Sequence, residues 1–147
     1  MHKDQLIYCV TPYRGQRRSG SGGAGLTAST ADYARFLQMF LNGGRWNGVR
    51  ILKPETVRKM TSNQIGDLKF MSPTDRFGYG FGLVAAASKD EPASVGSYSW
   101  GGFYSTSFWV DPQKKLVGVL MTQIYPSDFS LQRDFKKLAY AALQPLD

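Results

Sequence analysis

The chain has 147 residues and carries 18 Lys and Arg against 11 Asp and Glu, a formal charge of +7, on a length typical of one domain. With 42% hydrophobic and 14% aromatic residues, it can bury enough apolar surface to offset the entropy of ordering, which excludes wholesale disorder. The 16 Gly and 7 Pro follow no triplet period, which excludes a fibrous or low-complexity chain.

The first predicted element is a short β-prone run, Gln5 to Val10, followed by Pro12, the basic cluster Arg14, Arg17 and Arg18, and a loop from Ser19 to Gly25. Ser29 and Thr30 can cap a helix with Asp32 in its first turn. Its apolar stripe is Tyr33, Phe36, Leu37, Phe40 and Leu41, and Gly43-Gly44 stops it. Asn47-Gly48 between short arms predicts a hairpin, and Pro54-Glu55 opens a second helix to about Ser62. Residues from Gln64 to Arg76 are loop-like.

From Phe77 to Leu83, large apolar residues alternate with glycine, which suits a strand closely approached on one face. Ser97 to Trp100, Phe103 to Val110 and Lys115 to Thr122 are further strands, the last two joined by the polar turn Asp111 to Lys114. Together these three predict an antiparallel meander. Leu131, Phe135, Leu138 and Ala142 then mark an amphipathic helix, capped by Asp128 or Ser130 and ended by Pro145. The order predicts a single α+β domain over 1–147, an antiparallel sheet flanked by helices, with no internal repeat.

Several chemistries are excluded by inventory. Runs such as Leu83 to Ala87 are far shorter than the roughly 20 residues that cross a bilayer, so no membrane partner is expected. Leu6 to Val10 is too short for the apolar core of about 7 to 15 residues in an export signal, and none is read there. Cys9 is the only cysteine, which removes an intrachain disulfide and multi-cysteine metal sites. Gly20-x-Gly22-x-x-Gly25 has the letters of a dinucleotide fingerprint, but basic residues precede it and no alternation of strands and helices follows; no cofactor is expected. His2, the only histidine, lies at a terminus, which argues against histidine-based catalysis. Lys and Arg are scattered from Lys3 to Lys137 in short clusters, so no nucleic-acid partner is expected either. A serine nucleophile can use lysine as base when the two are spaced Ser-x-x-Lys on a helix start, and no such spacing occurs.

Taken together, Gly22 to Phe36, Leu41-Asn42-Gly43-Gly44, Ile51 to Val57, Gly78 to Gly82, Trp100-Gly101-Gly102, Phe108 to Pro112 and Leu131 to Phe135 resemble the C-terminal part of serine β-lactamase-like hydrolases. The resemblance is specifically to the class C β-lactamase and family VIII carboxylesterase branch. It implies a partial β-lactamase/transpeptidase-like fold and hydrolysis of an ester or amide through an acyl-serine, with a small acyl substrate.

In that family, Ser-x-x-Lys and Tyr-x-Asn supply nucleophile and proton transfer, and neither occurs in this chain. The third motif, Lys-Thr-Gly or its variants, is matched by Trp100-Gly101-Gly102. By the resemblance, Trp100, Gly101 and Gly102 border the substrate, and the Phe103 N–H supplies half of an oxyanion hole. Trp100 in place of a cation favours ester-type over β-lactam substrates. A glycine bulge beside a core tryptophan is the structural alternative. The chain is therefore expected to be inactive alone and to self-associate or pair with a complementing N-terminal half. A non-catalytic ligand-binding or interaction module is the alternative from a different class.

Overall fold

The computed structural model describes residues 26–68 and 75–143. The expected strand at Gln5 to Val10, the glycine loop at Gly20 to Gly25 and the stop at Pro145 lie outside those residues.

Helix α1, Thr30–Leu41, starts where Ser29 Oγ accepts the Asp32 N–H at 3.2 Å. It ends in a paired stop, with Gly43 N–H on Phe40 O and Gly44 N–H on Met39 O. Strands β1, Arg45–Trp46, and β2, Val49–Arg50, form the predicted hairpin around Asn47 and Gly48, both at positive φ as a type I′ turn requires. Helix α2, Pro54–Met60, follows with Pro in its first turn.

A five-stranded antiparallel meander comes next, in the order β3 (Asp75–Phe77), β4 (Gly82–Val84), β5 (Tyr98–Gly101), β6 (Ser107–Asp111) and β7 (Leu116–Leu120). Helix α3, Phe129–Ala141, closes the described chain, with Asp128 Oδ1 capping the N–H groups of Ser130 and Leu131. The architecture is the expected α+β sheet flanked by helices.

Alternation along β6 divides the core. Phe108 and Val110 join Leu37 and Phe40 of α1, Val57 of α2, and Phe81, Leu83 and Tyr98 in one cluster. The intervening Trp109 packs with Ala93 and Tyr140 in a second cluster, beneath α3. Gly118, its register partner on β7, is where the indole lies flat. A Cβ there would come within 2.2 Å of Trp109 Cζ2.

Four expectations are corrected. Phe77 to Leu83 is not one strand: β3 ends at Phe77, and Gly78 to Phe81 turn the chain so that Phe77 faces Gly82 across a new pair. The glycines there serve a corner, closed by Gly78 N–H on Phe81 O. Asp75 and Arg76, expected in a loop, belong to β3. The segment from Phe103 to Thr106 is a turn, and β6 begins only at Ser107. The face α3 lays on the sheet is Gln132, Lys136 and Tyr140 rather than the leucine stripe, so Leu138 is 69% exposed and Phe135 sits at the margin. Polar anchors decide that rotation: Tyr140 OH donates to Asp111 and Lys136 pairs with Glu91.

Candidate functional site

A cleft of about 690 Å³ opens between the sheet and the N-terminal half of α3, and Trp100, Gly101, Gly102 and Phe103 all line it. The opposite wall is Phe129, Gln132, Arg133 and Lys136 of α3, and Glu91 and Pro92 form part of its far end. The four residues singled out by sequence are therefore brought together at one opening.

Trp100 lies in β5 and is 41% exposed, with its ring edge-on to Phe77 at 5.1 Å. That degree of exposure does not fit the core-tryptophan alternative. Gly101 ends β5 opposite Ser107, and its missing Cβ would crowd Thr106 O at 3.3 Å with Gln132 of α3 just beyond. Gly102 opens the turn, and a Cβ there would fall 2.2 Å from Thr106 Oγ1. Both glycines thus sit where the tight β5–β6 connection leaves little room for a side chain.

Phe103 is at the tip, 60% exposed, its ring stacked on Tyr125 at 4.7 Å. The Gly102 N–H is engaged by Thr106 O at 2.8 Å and Ser105 N–H by Gly102 O at 3.1 Å. The Phe103 N–H makes no hydrogen bond among the described residues. One backbone donor is therefore left open beside Trp100 at the cleft, the arrangement a carbonyl oxygen can use.

The cleft holds serines, but among the described residues no serine hydroxyl hydrogen-bonds a lysine amine. Ser127 Oγ donates instead to Phe103 O at 2.8 Å. The cleft amine, Lys136 Nζ, is held by Glu91 at 2.6 Å and lies 6.0 Å from the Trp109 ring centre. The amine is thus engaged by a carboxylate rather than by a serine hydroxyl. Among the described residues no group of three His, Cys, Asp or Glu could hold a metal ion, and no helix is long and apolar enough to cross a membrane.

Sequence reasoning missed the contribution of α3, of Ser105 within the turn, and of Ser127, which grips the turn from the segment before that helix. These contacts join residues about twenty or more positions apart, and no local spacing announces them.

The fold and its glycine-turned strand end beside a cleft define a class: α+β proteins whose antiparallel sheet presents one backbone donor next to a groove. The Beta-lactamase family model matches residues 3–143, and the chain belongs to that family. Protein Rv1367c of Mycobacterium tuberculosis is 33% identical over 118 residues, covering 72% of this chain and 29% of its own length. EstCE1, a hydrolase with promiscuous acyltransferase activity, superposes with a TM-score of 0.77 at 22% identity, over 92% of this chain and 35% of its own. The simvastatin synthase LovD of Aspergillus terreus, in its LovD6 mutant, gives 0.62 at 22% identity, over 78% and 34%. The chain thus spans about a third of the length of these relatives.

Proposed function

We propose that this chain supplies the carbonyl-binding side of a serine acyl-transfer site and that the nucleophile is supplied from outside residues 1–147. The open Phe103 N–H beside the Trp100 cleft carries the proposal. A developing oxyanion needs donors already aimed at it, and a backbone N–H fixed in a turn beside a groove meets that need with little reorganisation. The parent reaction is hydrolysis of an ester or amide through an acyl-serine. Trp100, Phe103 and Phe129 give the mouth an apolar rim, which suits small esters with apolar acyl groups.

One oxyanion donor is worth only about 10² to 10³ in rate, and without a nucleophile no acyl-enzyme forms. Alone, the chain binds and does not turn over. Self-association, or pairing with a complementing N-terminal half, would cover the apolar stripe at Leu138. A non-catalytic ligand-binding module is the second reading, in keeping with Ser127 Oγ bonding a backbone carbonyl and Lys136 a carboxylate rather than each other.

Assaying 4-nitrophenyl butyrate and nitrocefin with the purified chain tests the proposal. No turnover, together with saturable binding of a butyrate ester analogue lost in Trp100→Ala, agrees with it; binding indifferent to Trp100→Ala contradicts it.

A further inference from the structure

We infer that Ser105 and Ser127 are positioning residues that hold the peptide plane presenting the Phe103 N–H; this rests on the carbonyl-binding role proposed above. The plane in question is Gly102–Phe103. In a trans peptide, C=O and N–H point in opposite directions. Ser105 N–H captures Gly102 O on the inside of the turn at 3.1 Å, so the Phe103 N–H is directed away from the turn's interior. Whatever fixes Ser105 therefore fixes the direction of the donor.

Ser105 is fixed by its hydroxyl. It has no solvent exposure and a φ of 62°, the left-handed region that usually falls to Gly or Asn. Glycine would adopt that conformation without strain, so the advantage of serine lies in the side chain. Its Oγ donates to Ile124 O at 3.3 Å and accepts the Asp128 N–H at 2.8 Å. Asp128 in turn caps α3. The turn is thereby referenced to the helix that forms the opposite wall of the cleft.

Three further bonds complete the clamp. Ser127 Oγ donates to Phe103 O at 2.8 Å, and Tyr104 O accepts from Ile124 N–H at 3.2 Å and from Thr122 Oγ1. The carbonyls on both sides of the Phe103 N–H are tied down while that N–H stays open. A donor held within a few tenths of an ångström acts at full strength; a loose one does not.

The test is amide NMR on the ¹⁵N-labelled chain titrated with phenylacetate, whose carboxylate stands in for the oxyanion. Saturable downfield movement of the Phe103 amide proton is expected for the wild type. Ser105→Gly, which keeps the left-handed turn unstrained, and Ser127→Ala should each weaken that response about five-fold, the worth of one hydrogen bond. The Trp109 indole signal should not move, and Ser127→Thr should bind like the wild type. Should Ser105→Gly not fold, the Ser127 pair decides alone. Unchanged phenylacetate binding in the serine-less variants overturns the positioning role and leaves the proposed function standing. A wild-type Phe103 amide that ignores phenylacetate overturns both.

Discussion

Tyr140 OH donates to Asp111 Oδ2 at 2.8 Å and so fastens the last turn of α3 to the end of β6. Asp111 has no solvent exposure. Burial alone would raise its pKa, but the N–H groups of Ser94 and Lys114 and the Tyr140 hydroxyl together hold the carboxyl below its ordinary value of 3.8. Burial first, and then the bond to Asp111, push the Tyr140 hydroxyl above its usual range. A carboxyl whose folded pKa is depressed contributes stability that is present above its unfolded pKa and is lost as pH falls through the folded one. Acid titration below pH 3.8 should therefore include an unfolding contribution from Asp111. In Asp111→Asn that contribution should be absent, with stability at neutral pH already reduced by roughly 2 to 4 kcal/mol from weakened buried bonds. Chemical denaturation across pH checks both.

Gly118→Ala should destabilise by about 1 to 3 kcal/mol, because the new methyl meets the Trp109 ring, which is confined between β7 and Tyr140. The near-ultraviolet circular dichroism of Trp109 should change with it. Gly48→Ala, at a site with open space but positive φ, should cost about 1 kcal/mol without that spectral change.

Leu138 is the most exposed large apolar residue of α3 and continues a stripe with Leu131 and Phe135. If this stripe drives self-association, sedimentation should report a concentration-dependent oligomer that Leu138→Glu dissociates while the thermal midpoint stays within a few degrees. A wild type that stays monomeric at 100 to 200 μM, a range of about 10⁻⁴ M where weak association still registers, would contradict it.

Trp100→Ala should weaken phenylacetate binding about ten-fold, since Trp100 is 41% exposed, lines the cleft and packs edge-on against Phe77. Calorimetric titration checks the affinity, and an unchanged melting curve separates this from loss of fold.

Much of the fold was legible because its signals are local. The α1 stripe, the Asn47-Gly48 hairpin, the Pro54 helix start and the turn at Asp111 are each written within a few residues, and each is found where the pattern put it. Trp100 to Phe103, singled out by the resemblance, line one cleft. What was not legible depends on distant partners. The alternation of Phe77 to Leu83 fits a strand as well as a corner, and only the pairing of Phe77 with Gly82 decides. The leucine stripe of α3 is more apolar than the face that docks, but Tyr140 and Lys136 find Asp111 and Glu91, and those bonds set the rotation. Ser105 in Tyr-Ser-Thr-Ser looks like an ordinary loop serine until Asp128 is placed beside it.

The most direct measurement is intact-mass analysis of the purified chain after incubation with an alkyl fluorophosphonate, which modifies activated serines. An unmodified mass is expected, because the chain offers a seat for the carbonyl and no hydroxyl activated to attack it. A stoichiometric adduct on any serine of residues 1–147, accompanied by loss of ester turnover, would contradict it.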